Sequence, residues 1–190
     1  MVTCQTLGDL TEFFFENFQV MSRGTFSHNK LKNLMHTKYG PYTIHSPSGV
    51  STTIYEASQR YKADQIPLVV IAGANFGRGS ARDWATKGPY LLGVRAICAQ
   101  SSCPAYKHNM IKTGLLPIQI TEETFKLLTG HEAFEIQTDL ESSTEVKIII
   151  NEGEKILEAK HCLANAYEVN LYMKGGVICQ FLNMSLAEEK

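Results

Sequence analysis

IPLVVIAGANFGRGSARDWATKG, residues 66–88, decides how the rest of this chain is read. Ile66 to Ala72 is a nearly continuous apolar run, the pattern of a strand buried on both faces. Gly73, Gly77 and Gly79 punctuate the polar loop that follows, and a helix is expected from Ser80 to about Gly88. A buried strand that feeds a glycine-rich loop and then a helix is a recurrent place to bind anions. The helix N-terminus offers free N–H groups and partial positive charge, and glycine lets backbone approach a ligand closely. The loop also carries Arg78, Ser80 and Arg82. Ser80 and Asp83 have the S-x-x-D form of a capping box, so a helix cap is the plain reading of Ser80. The functional reading is a hydroxyl at the mouth of an anion site. The nucleophile-elbow pattern fails, because Arg78 and Arg82 stand where its glycines belong, and no P-loop Gly-Lys-Ser/Thr is present.

Working outward, Val94 to Gln100 reads as a second buried strand and Leu115 to Ile120 as a third. Pro104 opens a helix between them, at a first-turn position where its missing N–H costs nothing, and Gly114 closes it. Strands alternating with helices predict parallel neighbours and an α/β fold. Thr121 to Gly130 is marked as a short helix, Ala133 to Thr138 as a strand, and Glu145 to Leu163 as a hairpin turning at NEGE. Residues 164–184 are amphipathic around Gly175-Gly176. Upstream, residues 5–22 place Leu10, Phe13, Phe14, Phe18 and Val20 roughly on one helical face. Residues 36–52 read as an irregular surface loop, and Ile54 to Lys62 as an amphipathic helix. The expected division is an N-terminal helix or arm over 1–22, one domain over 23–184, and a polar tail over 185–190.

The length of 190 residues suits one sizeable domain. A net charge of −1 supplies no global basic field for nucleic acid or a membrane surface. The five cysteines are odd in number, scattered and without a CxxC, which argues against a disulfide framework and predicts reduced thiols in a cytoplasmic protein. No secretory start is visible, and no apolar run reaches the ~20 residues that span a bilayer. The six histidines show no ligand spacing, so no metal site is expected. Arg23 and Arg82 are either solvated surface residues or bidentate grips on carboxylates, a task that needs planar forks.

The wording of the sequence narrows this further. RGTFSHN at 23–29, HSPSGV at 45–50, IYEASQRY at 54–61, PLVVIAG at 67–73, GRGSARDWATKG at 77–88, LLGVRA at 91–96, NMIKTGLLPIQI at 109–120 and EVNLYMKGGVICQFLNM at 168–184 follow in order. Together they resemble the C-terminal swivel domain of the aconitase family, in the branch of bacterial aconitases and cytosolic aconitase/iron-regulatory proteins. The resemblance implies a swivelling β/β/α three-layer domain. It implies a hydro-lyase that dehydrates and rehydrates citrate- or isocitrate-like acids at a [4Fe–4S] cluster, whose cysteine ligands lie in other domains or another chain. By motif match Ser80 takes the substrate proton. Arg82 and Arg23 bind substrate carboxylates, and Gly79 and the Ala81 backbone line the substrate. The implied partners are cluster-bearing aconitase-like domains or a large subunit, as in the split isopropylmalate isomerases, and a small tri- or dicarboxylic acid.

The chain also departs from the family. The second serine of the family's GSSR is Ala81, and the family's S-F-x-R-I-H is SSCPAYKH at 101–108. No cluster-binding cysteine set is present, so the isolated chain is not expected to be an aconitase. Two readings follow: the swivel part of a hydro-lyase, favoured by the retained Ser80, Arg82 and Arg23, or a non-catalytic relative that regulates or binds a partner or RNA, favoured by Ala81 and the altered motif. Neutral charge and the lack of an aromatic–basic stripe argue against RNA for the domain alone.

Overall fold

The structure, a computed structural model, describes residues 18–79 and 82–188. The expected helix over 5–22 therefore falls largely outside the described residues, and so do Ser80, Ala81 and the last two residues of the tail. The elements in chain order are α1 (Phe18–Gly24), β1 (Tyr42–His45), β2 (Val50–Thr53), α2 (Ile54–Ala63), β3 (Leu68–Ala72), α3 (Trp84–Leu91), β4 (Val94–Ala99), α4 (Pro104–Thr113), β5 (Leu116–Gln119), α5 (Glu122–Leu127), β6 (Phe134–Thr138), β7 (Glu145–Ile150), β8 (Lys155–His161), α6 (Ala166–Met173) and α7 (Val177–Glu188).

Six strands form a mixed sheet in the order β3-β4-β5-β8-β7-β6. The apolar runs around residues 70, 97 and 117 become the parallel half, with β4 between β3 and β5. Buried on both faces, these strands need no polar alternation. On one face Val69, Ile71, Ala96, Cys98 and Ile118 join the larger core. On the other, Leu68, Val70 and Ile97 pack with Tyr106, Met110 and Leu115. The β7–β8 hairpin supplies the antiparallel half. It does alternate, with Val146, Ile148 and Ile150 buried opposite Leu157 and Ala159 while Lys147 and Glu158 face out.

Two local expectations are corrected. Residues 36–52 are not wholly irregular: β1 and β2 pair as a hairpin across the Ser46–Gly49 turn, where Gly49 takes φ +66° and donates its N–H to the His45 carbonyl at 2.8 Å. The β-branched residues Thr43, Ile44, Val50, Thr52 and Thr53 on either side were the signal. The helix after the glycine-rich loop does not begin at Ser80. It runs from Trp84 to Leu91 with Asp83 in the cap position. The first turn is consolidated there by the Thr86 hydroxyl, which donates to the Asp83 carbonyl at 2.7 Å, and by a Lys87–Asp83 ion pair of 2.7 Å. Asp83 is thus the cap and not the third residue of the first turn, and the capping-box reading of Ser80 falls. The genuine capping box lies elsewhere. Thr53 accepts the Glu56 N–H at 3.1 Å, and Glu56 accepts the Thr53 N–H at 3.2 Å, at the start of α2.

Candidate active-site loop

Past Ala72 the chain leaves the sheet at the carboxyl end of β3, the edge at which open α/β sheets bind ligands. The loop is stitched to the segment that follows β4. Phe76 N–H donates to the Ser101 carbonyl at 2.9 Å, and Cys103 N–H donates to the Phe76 carbonyl at 2.9 Å. Asn75 N–H donates to the Ser101 hydroxyl at 2.8 Å. Ser101 therefore anchors the loop.

Five residues on from Ser101, Tyr106 lies in the first turn of α4. It is 3% exposed and holds both ends of the loop. At the near end its ring meets Phe76 edge-on, with centroids 5.5 Å apart, and lies where any side chain on Gly77 would have to go. At the far end its hydroxyl donates to the Ala85 carbonyl at 3.1 Å. That carbonyl needs an outside donor because Pro89, four residues on and inside α3, has no N–H to give it. Burial pushes the Tyr106 phenol above its ordinary pKa, so it stays a donor. Tyr106→Phe keeps the ring and strands the Ala85 carbonyl. It is expected to cost about 1–3 kcal/mol, read as a lower midpoint in urea or thermal unfolding; an unchanged midpoint removes this anchor.

The two arginines stand on different elements. Arg23 ends α1, and α1 docks on α3. Gly24 has room for a Cβ 3.9 Å from the Trp84 ring, and Thr25 fills the space beside Gly88 where a larger residue could not sit. The exposed Arg23 guanidinium lies over the Tyr55 ring, 4.7 Å from its centroid. Arg82, exposed, stands two residues before Trp84. The end of α1 thus packs beside Trp84, the first residue of α3. Gly79 has nothing within 4 Å of a built Cβ, leaving its backbone open to approach.

The HSPSG turn and the YEASQRY helix are tied into the fold by hydrogen bonds. His45 Nδ1 and the Ser48 hydroxyl are 2.8 Å apart, Ser46 N–H donates to the Tyr61 phenol at 2.9 Å, and the Ser46 hydroxyl donates to the His131 carbonyl at 3.0 Å. Among the described residues no group of three His, Cys, Asp or Glu could hold a metal ion. Burial pushes the Cys98 thiol up to about 12, which favours the neutral thiol of a core residue. No described helix is long and apolar enough to cross a membrane.

A buried strand, a glycine-rich loop anchored by Ser101 and Tyr106, and the helix that follows can now be compared with known proteins. The sequence model of the aconitase C-terminal domain matches residues 14–123. The chain belongs to the aconitase C-terminal domain family. Iron-responsive element-binding protein 2 of Xenopus laevis is 40% identical over 168 residues, which cover 85% of this chain and 17% of that protein. Aconitate hydratase A of Rickettsia typhi is 38% identical over 180 residues, 90% of this chain and 20% of that protein. This aconitase-family chain therefore spans about a fifth of the length of the relatives it matches. The crystal structure of 3-isopropylmalate dehydratase from Methanocaldococcus jannaschii shares the fold, with a TM-score of 0.50 at 22% identity over 73% of this chain and 82% of that one.

Proposed function

We propose that this chain is the swivel part of an aconitase-type hydro-lyase, working with cluster-bearing domains on another chain or on a longer form of this one. The observation that supports the reading is that Gly24, which follows Arg23 in α1, lies against the Trp84 ring, two residues past Arg82 at the end of the glycine-rich loop. Ser80 lies in the same loop between Gly79 and Arg82. In the complete enzyme the [4Fe–4S] cluster supplies Lewis acidity toward the leaving hydroxyl; no ligand for it is expected from this chain. The work of these residues is to grip carboxylates and move one proton. Two guanidiniums bind the substrate's carboxylates through paired N–H donors. Ser80 takes the proton from the substrate carbon as a general base and returns it in hydration.

A serine is a poor base unless its alkoxide is stabilised. Helix-terminal charge falls off within a turn, and α3 starts four residues after Ser80. Stabilisation by Arg82 therefore takes precedence over the helix N-terminus. Citrate and isocitrate are the reference substrates, and Ala81, lacking the family's second serine hydroxyl, opens the pocket to other 2- or 3-hydroxy acids.

Co-expression with a cluster-bearing aconitase-like chain from the same source tests this. The expected result is a brown co-purifying complex that interconverts a hydroxy acid and its dehydrated product, with neither chain active alone. A colourless chain that retains no such partner overturns it. A second reading, a non-catalytic regulator, draws on Ala81, on the altered S-F-x-R-I-H and on the likeness to an iron-responsive element-binding protein. It predicts an inactive complex, or specific RNA binding by this chain.

A further inference from the structure

Arg23 and Arg95 both lie over tyrosine rings and use the contact differently. The Arg95 guanidinium sits 4.3 Å from the Tyr90 ring centroid, and its Nη1 is spent on backbone, donating to the Val94 carbonyl at 2.7 Å and to the Tyr90 carbonyl at 3.2 Å. It binds the end of α3 to the start of β4. The Arg23 guanidinium sits 4.7 Å from the Tyr55 centroid, and its hydrogen bond to a described residue is a long one, from Nη1 to the Gln19 carbonyl at 3.4 Å. Among the described residues no carboxylate pairs with it. The sequence from residue 17 to residue 55 carries Arg23, Lys30, Lys32 and Lys38 and no Asp or Glu. The first acid after that stretch, Glu56, adjoins Tyr55 but is taken. Its carboxylate accepts the Thr52 hydroxyl and the Thr53 N–H at the start of α2.

The ring beneath Arg23 is itself held in place. Tyr55 is half-buried at the second position of α2. The capping box of Thr53 and Glu56 fixes that helix start, and the Ile54 N–H donates to the Pro41 carbonyl at 2.7 Å. An exposed arginine loses side-chain freedom when it closes on a ligand, and one already held over a ring loses less. A ring under the central carbon takes up no N–H, so the planar fork keeps its donors for an oxyanion. A carboxylate matches that fork in a bidentate geometry. The choice of a substrate carboxylate rests on the function proposed above. We infer that Tyr55 is a positioning residue: it presents the Arg23 guanidinium, and the acid-free stretch around it keeps that fork for a carboxylate of the substrate.

Tyr55→Leu removes the ring and Tyr55→Phe keeps it. In the isotope-labelled full chain the Arg23 Nε–Hε resonance is expected to move in Tyr55→Leu and to hold its place in Tyr55→Phe. Tricarballylate, a tricarboxylate with no hydroxyl to lose, is then titrated and followed at that resonance. Its Kd should be about 2–5-fold weaker in Tyr55→Leu, the size of an exposed cation–π contact, and native in Tyr55→Phe. In the reconstituted complex KM should rise by the same factor in Tyr55→Leu with kcat unchanged. An equal Kd in all three chains overturns the inference, as does a native chain whose Arg23 resonance ignores tricarballylate. A lower unfolding midpoint in Tyr55→Leu with an unchanged Kd also overturns it, since a merely structural stack gives that result. An active complex with one KM for all three chains overturns it and leaves the proposed function standing. An inactive complex, with the ring-dependent Kd still measured, sinks the proposed function and leaves Tyr55 as the positioning residue of a carboxylate site.

Discussion

Ser80→Ala is expected to lower turnover of the reconstituted complex by about 10²–10⁴-fold, the usual contribution of a positioned general base, with little change in the substrate concentration at half-maximal rate. The same substitution should leave the unfolding midpoint of the chain nearly where it was. A serine that caps a helix costs about 0.5–2 kcal/mol when replaced by alanine. Here α3 begins at Trp84 with Asp83 in the cap position, so the helix has no cap to lose at Ser80. Rate and stability are thereby separated. A large loss of rate with an unchanged midpoint supports the base. An unchanged rate removes Ser80 from the chemistry, and a large loss of stability restores the capping reading. Arg82→Lys keeps the charge but loses the fork, so it should act mainly on substrate affinity.

Gly77→Ala should be the most damaging small substitution in the loop. Gly77 has φ of +85°, which costs a residue with a side chain about 1–2 kcal/mol. The added methyl would also lie within the Tyr106 ring, and overpacking of that kind typically costs ~1–3 kcal/mol. Because Tyr106 is pinned at Ala85 and against Phe76, it cannot swing aside without releasing both ends of the loop. A combined loss of about 2–5 kcal/mol is expected in denaturant unfolding. Gly79→Ala is the control. Its φ is not positive and nothing stands within 4 Å, so stability should stay within about 0.5 kcal/mol. If the Gly79 backbone lines the substrate, activity of the complex should fall all the same. Equal effects at the two glycines would remove the distinction between a packed and an open side of the loop.

Much of this site could be read from the chain because its signals are local. The apolar runs at 66–72 and 94–100 and the Pro104 and Gly114 helix boundaries were legible within a few residues, since burial on both faces and helix termination leave compositional marks. The membership of the family was legible from words such as GRGSARDWATKG. Three things were not. The late start of α3 depends on which residue caps it, and S-x-x-D is satisfied on paper at Ser80 whether or not the helix begins there. Tyr106 looked like part of a damaged motif. Its role requires knowing that Pro89 leaves the Ala85 carbonyl open and that α4 lies within reach of it. The hairpin at Tyr42–Thr53 was hidden by the two prolines and two glycines around it.

By itself, then, the sequence determined the family, the mixed α/β arrangement of a buried strand, glycine-rich loop and helix, and the identity of the residues from which a base and two carboxylate grips could be drawn. Periodicity, turn residues and exact wording suffice for those, because each is written within a short span. Only the tertiary structure decided that the end of α1 packs beside Trp84, that Tyr106 clasps the loop at Gly77 and Ala85, and that α7 leaves the end of α4 with its apolar side chains exposed. Each of these depends on contacts between residues far apart in the chain. Such contacts are set by which surfaces the sheet buries together, and no local pattern of side chains records that choice.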